Sequence, residues 1–375
     1  MGYLDRQLSG RTDPARDAGW SDAPSRKGFF TDTSICIGCK ACEVACKEWN
    51  AVPLDGLALS ANSYDNTGGL GASTWRHVAF VEQTADRISA ARESGLRLVE
   101  LGMPGVGAPV EAVAAPAPAS APAAAPAGYG TLPAPVGGHG PDLRDMLSET
   151  VAVESATTSH GTTVDGTPRV GGLPEFRWLM ASDVCKHCTH AGCLDVCPTG
   201  ALFRSEHGTV VVQPDVCNGC GYCVGACPFG VIERRSESST TVRGDGHVPN
   251  MGVAQKCTLC YDRLEHDQMP ACAQTCPTTS IKFGDHDDMV ATARERVAQL
   301  HEQGFPEARL YGANENDGVG GTGSVFLLLD EPEVYGLPPD PVCATSRLPE
   351  MFRTAGYAGL GMLGAAAVAF LGRRG

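Results

Sequence analysis

Large aromatic side chains are scarce in this 375-residue chain, at 6% of positions, and positive charge is in deficit: 29 Lys and Arg stand against 43 Asp and Glu, a net charge of −14. The first shortage, together with 46 Gly and 26 Pro, argues against one large apolar core and for a loop-rich chain. The second removes the basic footprint that nucleic-acid binding requires. Residues 1 to 30 carry charged and polar side chains throughout, with no apolar run, so no secretory signal of the chain's own is expected.

What is abundant is cysteine. Seventeen are present, and all but Cys343 fall into four quartets: Cys36, Cys39, Cys42 and Cys46; Cys185, Cys188, Cys193 and Cys197; Cys217, Cys220, Cys223 and Cys227; and Cys257, Cys260, Cys272 and Cys276. The third, CNGCGYCVGACP, matches C-x2-C-x2-C-x3-C-P, the run that holds [4Fe–4S] clusters in bacterial ferredoxins. Three closely spaced thiolates wrap one corner of a cubane. The fourth lies about one helical turn further on and ligates the neighbouring cluster. Proline after it fixes φ, supplies no N–H and stops the short helix. Two such quartets in tandem, Cys185 to Cys197 and Cys217 to Cys227, make a closed two-cluster unit. The outer quartets match more loosely: Lys47 stands where proline is expected, and Cys260 and Cys272 are twelve positions apart. Cys343 is read as incidental.

Two other uses of cysteine compete. Disulfides on this pattern belong mostly to small secreted domains. Zinc also takes C-x2-C pairs but has no need of three close cysteines followed by C-x3-C-P, so a zinc-dependent scaffold is the weaker reading. Each oxidised cubane with four thiolates adds roughly −2, making the assembled protein more acidic still. His187 and His190 lie among the ligands and have the chemistry of Rieske-type ligands, but with four cysteines at hand a hydrogen-bonding or tuning role is expected. Lys40, Lys186 and Lys256 either soften cluster charge or are simply solvated.

Along the chain, CPTGALFR (from Cys197), CPFGVIER (from Cys227) and CPTTSIKF (from Cys276) repeat one plan of cysteine, proline, turn and short strand. Strands are expected at 75 to 81, from Phe176, at 209 to 212 and at 324 to 329, and a helix within 84 to 102. A second helix carries Met289, Ala293, Val297 and Leu300 on one face and ends at Gly304 and Pro306. Residues 318 to 323 formally match G-x-G-x-x-G, but they precede a strand instead of opening a helix, which excludes a dinucleotide fingerprint. The divisions read from this are an irregular arm (1–30), a first cluster segment (31–83), an Ala/Pro-rich and largely flexible insertion (84–174), a central and closing ferredoxin-like region (175–285), a connecting segment (286–353) and an apolar tail (354–372). That tail has nineteen uncharged residues, reaching about 28 Å against a hydrocarbon core of about 30 Å. A single transmembrane anchor is expected there, with Gly361, Ala365 and Ala369 as a small-residue stripe. The fold class expected is α+β: two ferredoxin-like double-cubane units with a pseudo-twofold relation, loop-rich, plus one C-terminal transmembrane helix.

CIGCKACEVACKEWN, DVCKHCTHAGCLDVCPTGAL, CNGCGYCVGACPFGVI, KCTLCYDR, then LLLDEPEVYGLP and the apolar tail together resemble the iron–sulfur (beta) subunit of membrane-bound formate dehydrogenases. The resemblance spans about 30 to 83 and 175 to 372. The quartets alone specify only the wider group serving molybdopterin oxidoreductases and some hydrogenases. It implies an electron-transfer subunit without catalytic residues, holding four [4Fe–4S] clusters in nested sets: Cys36, Cys39, Cys42 with Cys276; Cys257, Cys260, Cys272 with Cys46; Cys185, Cys188, Cys193 with Cys227; and Cys217, Cys220, Cys223 with Cys197. It also implies a molybdenum or tungsten pterin catalytic (alpha) subunit beside the outer pair and a membrane cytochrome b (gamma) subunit beside the central pair. Arg373 and Arg374 favour a cytoplasmic C-terminus, nearly balanced by Arg347 and Arg353. Such a tail puts the clusters on the outer face, exported with a partner that carries the signal.

Overall fold

The computed structural model describes residues 13–55, 67–100, 169–170, 173–174, 176–236, 248–346 and 348–371. The Ala/Pro tract at 104–138 lies outside the described residues. The chain divides into two units, 108–175 and the remainder. In the first, the described residues form a two-stranded antiparallel pair, Arg169–Val170 with Leu173–Pro174.

In the larger unit, every quartet lies between two strands. Strand β1 (Lys27–Asp32) and a 3-10 turn precede the first quartet, whose helix α1 (Ala41–Trp49) is followed by β2 (Arg76–Thr84) and helix α2 (Ala85–Glu100). Strand β3 (Phe176–Val184) leads into the second quartet with α3 (Gly192–Asp195) and out through β4 (Leu202–Arg204). Next come β5 (Val210–Val212), the third quartet with α4 (Tyr222–Ala226), and β6 (Glu233–Arg234). The last quartet, with α5 (Tyr261–Leu264) and α6 (Ala271–Gln274), lies between β7 (Ala254–Gln255) and β8 (Ile281–Asp285). The chain ends with α7 (His286–Glu302), β9 (Arg309–Tyr311), β10 (Ser324–Leu328) and α8 (Leu348–Leu371).

The pairing of these strands closes a ring. Strand β2 pairs with β3, β4 with β5 and β6 with β7, and β8 returns to pair with β1, all antiparallel. Each interval between successive quartets is thus one antiparallel pair, and the fourth interval joins the last quartet to the first. Helix α1 packs on α6, and α3 on α4, so the first quartet meets the last and the second meets the third.

The core sits where the ring is closed. Strand β10 inserts parallel to β1 and antiparallel to β9, giving the sheet order β8-β1-β10-β9. Its SVFLL run is buried at all five positions, as a continuous apolar run requires of a central strand. Helix α7 covers this sheet with Val290, Ala293, Val297 and Leu300 buried. Met289, expected on that face, is partly buried at its edge with Val290 filling the centre. Acidic Asp287 and Asp288 in the first turn suit the helix dipole, and Gly304 at φ 87° lets the chain leave the helix. Strand β1 starts inside the stretch read as an irregular arm. Its partners are so far away in sequence that no local pattern marks Gly28, Phe29 and Phe30 as a central strand.

Helix α2 packs against β2 and β3, burying Ile88 and Ala91. Helix α8 includes Met351–Leu371, long and apolar enough to cross a membrane. Its large apolar side chains, among them Phe352, Leu360, Leu363 and Phe370, are exposed.

Candidate metal centres

The four C-x2-C loops share one backbone path. The residue before the second cysteine is left-handed in each: Gly38 (φ 65°), His187 (φ 45°), Gly219 (φ 72°) and Leu259 (φ 62°). Only two of these are glycine. For the others the conformation costs about 1–2 kcal/mol, so the surrounding structure imposes it. The three cysteine–proline turns repeat as well: the N–H groups of Gly200, Gly230 and Thr279 donate to the carbonyls of Cys197, Cys227 and Cys276 at 3.4, 3.2 and 3.2 Å.

Thiols from different quartets are brought together, and their ionisation registers it. The Cys36 thiol is pushed up by burial and by its neighbours Cys42 and Cys276. Cys46 is pushed well up by burial and by Cys257, Cys272 and Cys260. Burial raises Cys188 too, reinforced by Cys185, Cys193 and Cys227. Cys223 is pushed up to about 11 by burial and by Cys217, Cys220 and Cys197. Cys42 and Cys193, again through burial first, reach about 11 and about 12. Cys197 moves the other way: a small burial effect is outweighed by hydrogen bonds from the Leu202, Thr199 and Ala201 backbone and the Thr199 hydroxyl. Cys185 also acts on Cys257, linking the central thiols to the outer ones.

One of these gatherings surrounds a cavity. It is lined by Cys185, Cys188, Cys193 and Cys227, with Lys186, His187 and Lys256 and with apolar Ala191, Phe229, Val231 and Ile232. His187 is 2% exposed, and its Nδ1 accepts the Val210 N–H at 3.1 Å. That fixes the neutral tautomer with the proton on Nε2, and Nε2 has no partner among the described residues. Burial, with Lys256, Arg204 and Arg26 nearby, holds the imidazole well below its usual pKa. A buried donor left over beside four thiols fits a sulfur-rich acceptor.

Lys186 and Lys256 are each 1% exposed, so the solvated reading does not hold for them. Lys186 Nζ donates to the Val184 carbonyl at 2.9 Å, pairs with Asp183 and lies 4.8 Å from the Phe326 ring centroid. Lys256 Nζ donates to the carbonyls of Val210 and Cys257. Lys40 is nearer the surface, 3.6 Å from Glu43.

Three further residues belong to these sites without having been marked by cysteine spacing. Arg76, 1% exposed, reaches Ser182 Oγ at 2.9 Å, and Ser182 Oγ lies 3.2 Å from Cys42 Sγ. The alternation that turns Val78 and Phe80 to one face of WRHVAFV places Arg76 there too, the one sequence signal available. Asn50 Nδ2 bridges Cys46 Sγ (3.7 Å) and Cys260 Sγ (3.9 Å). Arg204 donates to the Cys188 and Thr189 carbonyls, both at 2.9 Å. The glycine run at 318–323 braces the second quartet: Thr189 and His190 donate backbone N–H to Gly321 and Val319, and a Cβ on Gly320 would meet the His190 ring at 2.5 Å.

The 4Fe-4S dicluster domain model matches residues 176–286. A formate dehydrogenase iron-sulfur subunit of Haemophilus influenzae is 31% identical over 315 residues, 83% of this chain and 68% of that protein. The nitrate-inducible formate dehydrogenase iron-sulfur subunit of Escherichia coli is 30% identical over 319 residues, 84% of this chain and 73% of its own. The chain belongs to the formate dehydrogenase iron–sulfur subunits. A thiosulfate reductase electron transfer subunit of Salmonella typhi is 44% identical over 117 residues, 31% of this chain and 53% of that protein. Iron–sulfur clusters are therefore the groups its cysteines serve, and electron transfer is its role.

Thiols must lose their protons to bind iron. Because the folded values of Cys42, Cys193 and Cys223 lie at about 11 to 12, uptake of iron by the cluster-free iron–sulfur subunit strengthens with pH and is still strengthening at pH 10. Competition against a chelator from pH 7 to 10 measures this, and a plateau at the ordinary thiol value near pH 9 would contradict it.

Proposed function

We propose that this chain is the electron conduit of a formate dehydrogenase complex. It stands between a molybdopterin catalytic (alpha) subunit, where formate is oxidised, and a membrane cytochrome b (gamma) subunit on the way to quinone. It holds four [4Fe–4S] clusters in two double-cubane, ferredoxin-like units, the second made by residues from both ends of the chain. Cys36, Cys39, Cys42 and Cys276 hold one cluster and Cys257, Cys260, Cys272 and Cys46 its neighbour. In the central unit the sets are Cys185, Cys188, Cys193 with Cys227, and Cys217, Cys220, Cys223 with Cys197. When bound, these clusters supply one-electron redox centres in series.

The observation that carries this reading is the reciprocal meeting of quartets. Most thiols that raise one another's pKa share one of the four proposed sets, with Cys272 on Cys42 and Cys185 on Cys257 acting between sets, and the helix contacts repeat the grouping. The protein's own contribution is to hold the sulfurs and keep water away. Cys39 and Cys220 are the exposed thiols, one in an outer and one in a central set, and this supports electron entry and exit at two surfaces. No side chain in the chain is assigned bond-making chemistry. Service to a different molybdopterin oxidoreductase is favoured less, because the thiosulfate reductase relative matches 31% of the chain and the formate dehydrogenase relatives more than four-fifths. An apolar-rich helical stretch of 21 residues, Met351–Leu371, with none of its apolar window buried, supports anchoring in the cell membrane, with the cluster domain on its outer face.

Anaerobically purified protein is expected to be brown, with about sixteen iron atoms per chain and no stoichiometric zinc. Colourless protein carrying zinc would overturn the reading. Removal of residues 348–375 is expected to release the subunit from membranes in fractionation, and unchanged retention would count against the anchor.

A further inference from the structure

Arg76 opens β2, which packs on α1, the helix that carries Cys42 of one proposed outer set and Cys46 of the other. It is among the largest fully buried side chains, at 1% exposure. Nη1 donates to the Ser182 hydroxyl at 2.9 Å and the Ser182 carbonyl at 3.3 Å, and the guanidinium carbon stands 4.9 Å from the Phe29 ring centroid. Nε and Nη2 are buried and have no hydrogen-bond partner among the described residues. Arg76 opposes the upward push that burial gives the Cys272 thiol. Burial alone would make Arg76 easier to deprotonate; the sulfurs of Cys272, Cys42, Cys257 and Cys46 outweigh it only when they are ionised. Cys42 comes from one proposed outer set and the other three from its neighbour. None belongs to a central set.

A guanidinium in a dry site is expensive unless opposite charge meets it, and buried neutral thiols do not supply that charge. Two clusters do, each at roughly −2 when oxidised with four thiolates. We propose that Arg76 is the shared counter-charge of the two outer clusters, a positioning residue that holds both of their reduction potentials above the values the same cysteines would give alone. The proposal rests on the ligand sets given above. One electron added to either cluster makes it more negative by one charge. A fixed positive charge beside both sets favours that state in each. Arginine suits the place because it stays protonated and its flat fork reaches two sides at once.

The test uses the full-length chain with its clusters bound, as wild type, Arg76→Gln and Arg76→Lys. Iron is counted first, and the four midpoint potentials are then followed by electron paramagnetic resonance during redox titration. Two of the four are expected to fall in Arg76→Gln and to recover part of the way in Arg76→Lys, while the other two stay where they are. Four unmoved potentials, or four falling together, would overturn the proposal. If Arg76→Gln fails to retain iron, Arg76→Lys is read against wild type on its own: a shift confined to two potentials then supports the proposal, and no shift, or four moving together, overturns it. Wild-type protein with fewer than four clusters removes the ligand sets and this proposal together, and the iron count alone identifies that case.

Discussion

The antiparallel pairing of Lys27–Asp32 with Ile281–Asp285 is the constraint from which the rest follows. Lys27 and Asp285 are 258 positions apart, and the meeting of their strands, with α1 packed on α6, brings the first and last quartets together. Closing so long a loop is costly in entropy, although the cost grows only with the logarithm of its length. It is offset by burial: β10 enters beside β1 with every residue inside, and α7 covers the sheet with four buried apolar residues. The most apolar packing in the molecule is therefore spent on holding two distant ends of the chain together. The four strand pairs then place successive quartets side by side, and the short helices within them meet two by two.

Charge is distributed in a way that only the sulfur sites explain. The chain as a whole is acidic, yet Arg76, Arg204, Lys186 and Lys256 are inside. Buried cations are usually a liability. Here they lie beside thiols that burial keeps protonated in the cluster-free chain, so the interior is matched to a bound group of negative charge and mismatched without it. His187 adds a neutral donor with no acceptor among the described residues. Loading the clusters and settling the interior are in this sense one event, as in other small domains organised by metal.

What could be read from the sequence was what is local. The cysteine spacings, the cysteine–proline turns with Gly200 and Gly230, the run from Ser324 and the periodicity of α7 all depend on neighbours a few residues apart. Thr279, His187 and Leu259 take the same left-handed turns as glycines elsewhere, and no residue preference marks them. Strand β1 and Arg76 were hidden for a different reason: their partners are tens to hundreds of positions away. The glycine run at 318–323 had the letters of a nucleotide loop, and its order before a strand excluded that use. Its bracing of Thr189 and His190 became visible only with the two segments in contact.

The central claim is that cysteines from the two ends of the chain hold the same clusters. Single Cys→Ser variants, read by the electron paramagnetic resonance spectrum of the reduced protein, test it most directly. The account predicts that Cys39→Ser and Cys276→Ser perturb one and the same cluster signal, and that Cys46→Ser and Cys260→Ser perturb another. A Cys276→Ser spectrum that alters the signal sensitive to Cys260 and leaves the one sensitive to Cys39 untouched would contradict it.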